Sequence, residues 1–93
     1  MRTIKPTTRF RRDFKRKKRG PHGNRLDALL ADAADLLAAD TPLPPRFRDH
    51  PLSGTWGDCR DCHIRPDLAL IYRKPDNDTL ELVRLGSHSE LGL

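Results

Sequence analysis

Leu68-Ala69-Leu70-Ile71-Tyr72 is the stretch that decides the fold. It is apolar at every position, so as a strand it is apolar on both faces and needs cover on both. That makes Asp67–Lys74 a central strand. Outward from it, Trp56–Arg65 and Thr79–Leu85 read as flanking strands, with Pro75-Asp76-Asn77-Asp78 as the turn into the second. Arg46–His50 reads as one short helical turn, and Gly86–Leu93 as a tail with room for another.

The N-terminal half reads differently. Met1–Pro6 is a short edge strand. Thr7 or Thr8 can cap a helix that runs to Arg19, with Phe10 and Phe14 one turn apart as its buried stripe. Gly20-Pro21 ends it, His22 and Gly23 follow in a loop, and Asn24 can cap the next helix. Leu26–Ala39 carries Leu26, Leu29, Leu30, Ala33, Leu36 and Leu37 at helical spacing. Asp40-Thr41-Pro42-Leu43-Pro44-Pro45 stops it and leads away in extended form. The expected architecture over residues 1–93 is one α+β domain, a helical hairpin packed on a small, mostly antiparallel sheet.

The net charge of +5 over 93 residues is unevenly spread. Residues 1–25 hold eleven Lys/Arg and one acid; residues 26–93 hold seven Lys/Arg and twelve acids. The basic share peaks at Arg9, Arg11, Arg12, Lys15, Arg16, Lys17, Lys18 and Arg19, which points to a polyphosphate partner such as RNA or the ribosome. No apolar run has the length of a membrane span, and the N-terminus is charged without a signal-peptide core. A cytoplasmic protein with reduced thiols is therefore expected.

Cys59-Arg60-Asp61-Cys62-His63 matches the C-x-x-C-H pattern of haem attachment. On a strand, two cysteines three apart point to opposite faces and cannot clamp one porphyrin or one zinc ion. The alternation instead gathers Cys59, Asp61 and His63 on one face and leaves Cys62 as a core residue. Neither haem nor zinc is expected.

Chemistry is expected elsewhere, at His50, His63, Asp67, Arg84 and His88. A sheet can bring these onto one surface. Cleavage of RNA through its 2′-hydroxyl needs a base for that hydroxyl, an acid for the leaving 5′-oxygen and a cation for the phosphate. Imidazoles and a guanidinium supply all three, and the acids are too scattered to hold Mg²⁺, so no metal is expected. Asp61 reads as an ion-pair partner for Arg60 or Arg84, His22 as an exposed loop residue, and Trp56 as packing.

Leu43-Pro44-Pro45-Arg46-Phe47-Arg48-Asp49-His50-Pro51-Leu52, Gly54-Thr55-Trp56, Cys62-His63-Ile64-Arg65-Pro66-Asp67, Leu70-Ile71-Tyr72 and Arg84-Leu85-Gly86-Ser87-His88-Ser89-Glu90-Leu91 together resemble the YafQ branch of the RelE superfamily. These are toxins of type II toxin–antitoxin systems. The resemblance implies a RelE-like fold and a ribosome-dependent mRNA interferase that cuts in the A site, leaving a 2′,3′-cyclic phosphate and a 5′-hydroxyl. It also implies a cognate antitoxin and, through that complex, operator DNA. The family's catalytic set falls on His50, His63, Asp67, Arg84 and His88. On this reading His88 is the acid, Asp67 or His50 the base, Arg84 the phosphate cation, and His63 positions the scissile phosphate or assists proton transfer. The basic first helix would grip ribosomal RNA. The family commonly has an aromatic residue four positions after the last histidine, where this chain has Gly92, and often Trp where it has Leu68. A non-catalytic RNA-binding module of the same fold is the alternative.

Overall fold

A computed structural model describes the chain from Met1 to Leu93. Its strands are β1 (Thr3–Pro6), β2 (His50–Pro51), β3 (Arg60–Arg65), β4 (Leu68–Arg73) and β5 (Thr79–Gly86). They form one sheet in the order β1-β5-β4-β3-β2. β4 is the centre, buried from Leu68 to Tyr72 and hydrogen-bonded to a neighbour on each side. Only the β1–β5 edge is parallel. The α+β expectation holds, and β1 is the edge strand its sequence indicated.

Helix α1 (Thr8–Lys18) starts because the Thr7 hydroxyl accepts the Phe10 N–H at 3.0 Å. The same hydroxyl donates to the Val83 carbonyl at 2.8 Å, which ties the helix start to β5. Phe10 is buried and stacks on Phe14 with ring centres 6.3 Å apart. Helix α2 (Leu26–Ala38) buries Leu26, Leu30, Ala33 and Leu37 of the expected stripe, with Leu29 and Leu36 half-buried. Asn24 does not cap it. Gly23–Arg25 form a 3₁₀ turn, and Arg25 stands at the cap position with no side-chain bond. The cause is close packing: a Cβ on Gly23 would lie 2.1 Å from the Lys18 carbonyl oxygen. A tight turn therefore precedes the helix.

The chain between α2 and β3 departs from expectation. Pro45–Phe47 is the 3₁₀ turn, and Arg48 ends it in the left-handed conformation at φ 48°. His50 and Pro51 are then a strand, not part of a helical turn. The expected strand Trp56–Arg65 begins only at Arg60, because Gly54–Trp56 coil into another 3₁₀ turn. Gly54, at φ 65°, takes a backbone angle that glycine adopts freely. This loop lets the Leu52 N–H reach the Cys59 carbonyl at 3.1 Å and docks β2 on the outside of β3.

The two faces of the sheet are covered unequally. α1 and α2 lie over one face and close the main core, including Phe10, Leu26, Leu37, Cys62, Leu70 and Leu85. On the other face a small cluster of Cys59, Ala69, Ile71 and Leu91 is flanked by Leu52, Trp56 and Val83. Its cover is the short helix α3 (His88–Leu91). The rest of that face stays open, and the histidines are there.

Candidate active site

Strand register builds the site. His50 pairs with Asp61, Asp61 with Ile71, and Ile71 with Arg84, so these four make one row across the sheet. His63, Ala69 and Gly86 make the neighbouring row. Side chains on a strand alternate, so Asp61 and His63 share a face while Cys62 points into the main core. α3 then brings His88 back over that face. Ser87 caps it in a capping box, its hydroxyl accepting the Glu90 N–H at 3.1 Å while Glu90 accepts the Ser87 N–H at 2.8 Å. Gly86 allows the close return, since a Cβ there would stand 3.2 Å from the Glu90 carboxylate and 3.4 Å from Leu91.

Asp61 is the hub. It is completely buried, and one carboxylate oxygen faces three imidazoles. His88 Nε2 lies 3.2 Å from it, His50 Nε2 3.5 Å and His63 Nε2 3.9 Å. The His63 and His88 rings are 4.6 Å apart between centres. The His50 ring is fixed from its other side, where Nδ1 donates to the Arg48 carbonyl at 2.7 Å. The second oxygen of Asp61 is buried and has no partner. An orphaned buried carboxylate oxygen is costly in a folded core, and a catalytic role is one explanation for such a group.

The environment of His63 separates it from a surface imidazole. Burial pushes its proton affinity below the usual value of 6.5, and His88, Arg48 and His50 push the same way; Asp61 opposes them. A neutral His63 at neutral pH is suited to take a proton. Asp61 in turn stabilises positive charge on whichever imidazole carries it, as a carboxylate does behind a catalytic histidine.

Of the five residues expected to meet, three do. His50, His63 and His88 converge on Asp61. Asp67 sits in the β3–β4 turn, and both its oxygens accept from His22 Nε2, at 2.9 and 3.0 Å. That contact holds its carboxyl below the ordinary range. Arg84 shares the row of Asp61, yet its guanidinium is bound by Asp13 of α1 through contacts of 2.7 and 3.2 Å. Asp13 is itself buried and also accepts the Leu85 N–H at 3.0 Å. Neither Asp67 nor Arg84 is hydrogen-bonded to His50, His63 or His88. The ion pairs expected of Asp61 do not form: Arg60 pairs with Asp49 and Arg84 with Asp13. Its alternation with His63 is the signal in the sequence that marks its place among the imidazoles.

Two clefts border the cluster. One, of about 430 Å³, is lined by Arg46, Arg48, His63, Ile64, Arg65 and Pro66. The other, of about 350 Å³, has His50, Asp61 and His88 with Trp56, Leu52 and Leu93 among its walls. Gly92 lines the second cleft with backbone alone, in a left-handed conformation at φ 72°. Trp56 is therefore the aromatic side chain there. Asp61, His63 and His88 present three ligand atoms within 4.8 Å of one another, a set that could also hold a metal ion. The cysteines do not: both are free and buried, burial lifts the Cys59 thiol to about 11, and Cys62 is pushed up further by the same cause.

The basic segment of α1 is divided by its partners. Arg16 and Lys17 reach Glu90, and Lys18 reaches Asp27. Arg9, Arg11, Arg12, Lys15 and Arg19 are exposed without a carboxylate partner. Arg9 lies over the Trp56 ring at 6.0 Å, which carries the basic helix to the rim of the second cleft. No helix is long and apolar enough to cross a membrane.

Comparison with known proteins gives one consistent result. The family described as bacterial toxin of type II toxin-antitoxin system, YafQ, matches residues 2–92. The mRNA interferase toxin YafQ of Escherichia coli K12 is 38% identical over 92 residues, covering 97% of this chain and 95% of that one. A copper-bound mutant toxin from Helicobacter pylori superposes with a TM-score of 0.84 at 38% identity, covering 98% of this chain and 99% of the other. YafQ in the E. coli DinJ–YafQ toxin–antitoxin complex superposes with a TM-score of 0.77 at 32% identity, covering 97% and 96%.

Proposed function

The chain belongs to the YafQ toxin family, and we infer that it is an mRNA interferase, the endoribonuclease toxin of a type II toxin–antitoxin system. The single observation that carries its mechanism is the buried Asp61 facing His50, His63 and His88. Neutral His63 removes the proton of the ribose 2′-hydroxyl, and the resulting oxygen attacks the adjacent phosphorus. His88 donates a proton to the departing 5′-oxygen. The products are a 2′,3′-cyclic phosphate and a 5′-hydroxyl, so no water is consumed in the cut. Asp61 holds the His88 ring by its Nε2 and stabilises the charge that builds on the imidazoles as the proton moves.

This reading makes His63 the base in place of Asp67, whose carboxylate is committed to His22, and in place of His50. Arg84 acts from a distance, fixing Asp13 and the end of β5 from which α3 returns His88. His50, locked between Arg48 and Asp61, orients the cluster and adds positive potential at the phosphate.

The exposed cations of α1 (Arg9, Arg11, Arg12, Lys15 and Arg19) suit contact with ribosomal RNA, which supports the ribosome as the place of cleavage. A cognate antitoxin is the expected inhibitor, since YafQ of E. coli is found with DinJ. A metal ion on Asp61, His63 and His88 would occupy nitrogens that proton transfer requires, so metal binding fits inhibition. Gly92 in place of an aromatic residue favours the non-catalytic alternative, and Trp56, which lines the same cleft, offers an aromatic ring there. Induced expression tests the reading: growth arrest with new mRNA 5′ ends at codons supports it, whereas arrest without cut mRNA, or equal cutting by His63→Gln, contradicts it.

A further inference from the structure

Four of the seven Lys/Arg residues after position 45 are neutralised: Arg60 by Asp49, Arg73 by Asp58 and Glu81, Lys74 by Asp40, and Arg84 by Asp13. The remaining three, Arg46, Arg48 and Arg65, are exposed and have no carboxylate partner. All three line one cleft, and His63 forms its wall. The carboxylates nearest in sequence are engaged elsewhere. Asp49 accepts from Arg60 at 3.1 Å and from the Tyr72 hydroxyl at 2.6 Å, and Asp67 accepts from His22.

Each arginine is also placed by its surroundings. The Arg46 guanidinium stacks 4.5 Å from the ring centre of buried Phe47. Arg48 holds a left-handed backbone, unfavourable for a side chain with a Cβ, and strain of that kind collects at binding sites. Its N–H donates to the Pro45 carbonyl at 3.0 Å and its carbonyl accepts from His50 Nδ1, so it joins the cleft to the imidazole cluster. Arg65 follows an irregularity in the β3–β4 register after His63, a device that re-aims a side chain at a sheet end.

We propose that Arg46, Arg48 and Arg65 form a phosphate subsite that grips the mRNA phosphodiester adjoining the scissile one. The proposal rests on the imidazole cluster being the point of cleavage. A cleft with three guanidinium groups and no acid selects an anion, and guanidinium forks match phosphate oxygens two at a time. Its wall at His63 places the bound phosphate one step along the strand from the cut. The subsite also supplies the free cations that Arg84 cannot, because Asp13 occupies it.

The test uses single-turnover cleavage of a short mRNA on translating ribosomes. Wild type is compared with Arg46→Gln/Arg48→Gln/Arg65→Gln and with Lys5→Gln as a charge control on β1. Each is also given mRNA carrying a neutral methylphosphonate in place of one phosphate flanking the cut. The triple variant is expected to need roughly ten- to hundred-fold more toxin for half-maximal cleavage, with a smaller change in maximal rate. The log–log salt slope falls by about 0.7 for each phosphate that the variant no longer neutralises. One methylphosphonate position weakens wild type and leaves the triple variant unchanged, while Lys5→Gln matches wild type. Equal concentration dependence for wild type and triple variant overturns the proposal. A weaker triple variant combined with a wild type insensitive to methylphosphonate overturns it too, because the arginines would then be touching ribosomal RNA. Intact mRNA with wild type overturns the cleavage reading itself and the subsite with it.

Discussion

Replacing Asp61 by Asn removes the charge at the centre of the site and keeps its shape. Three imidazole nitrogens lie 3.2, 3.5 and 3.9 Å from one oxygen of that carboxylate. At an effective dielectric near 20, a unit charge at about 3.5 Å contributes ~5 kcal/mol before desolvation is subtracted. Measured shifts are smaller: one neighbouring carboxylate changes a partner's proton affinity by about 1–3 pKa units. Each unit is about 1.4 kcal/mol, so the imidazolium formed during proton transfer loses roughly 3 kcal/mol. The single-turnover rate should fall about 100-fold. Stability should move little, because the second Asp61 oxygen is buried without a partner and the neutral amide costs less to keep there. The assay is cleavage of ribosome-bound mRNA beside a urea melt of the same preparation. Wild-type cleavage by a folded Asp61→Asn protein would refute the reasoning, as would loss of activity explained wholly by unfolding.

Five further outcomes follow from the same geometry. His63→Gln should reduce the cleavage rate by about 10²–10⁴-fold, whereas Asp67→Asn should cost far less; the reverse order restores Asp67 as base. Activity should persist on lowering the pH to below 6.5, because burial, His88, Arg48 and His50 keep His63 neutral there. Arg48→Gln removes one of those influences, so the acidic limb of the pH–rate profile should move up; a downward move counts against the assignment. Asp13→Ala leaves the Arg84 guanidinium and the Leu85 N–H without their acceptor, and urea melts should show a loss of about 3–5 kcal/mol. Zn²⁺ should slow cleavage by occupying Asp61, His63 and His88, with recovery when it is chelated; unchanged rates at saturating Zn²⁺ would show that those nitrogens are free of it.

What the sequence reveals depends on how local the determining contact is. β4 is legible because five adjacent apolar residues carry their own requirement for cover. α1 is legible through the Thr7 cap and the Phe10–Phe14 spacing, all within one stretch of chain. β2 is not: two residues have no periodicity, and His50–Pro51 is a strand only because the 54–56 turn folds it onto β3. The site is obscure in the same places. Alternation puts Asp61 beside His63, but the arrival of His50 depends on β2 and that of His88 on α3. Arg84–Asp13 and Asp67–His22 join positions 71 and 45 residues apart, beyond any local pattern. A charge pattern alone therefore shows neither that Asp13 holds Arg84 nor that His22 holds Asp67.

The chemistry of the cut ends tests the central claim most directly. Wild-type protein is added to a reconstituted translation reaction, and both mRNA fragments are analysed at the break. Acid–base cleavage by the Asp61-bound histidines gives a 2′,3′-cyclic phosphate upstream and a 5′-hydroxyl downstream, and a 2′-O-methyl group at the attacking ribose blocks it. A 5′-phosphate on the downstream fragment, or cleavage that tolerates the 2′-O-methyl group, would contradict the account.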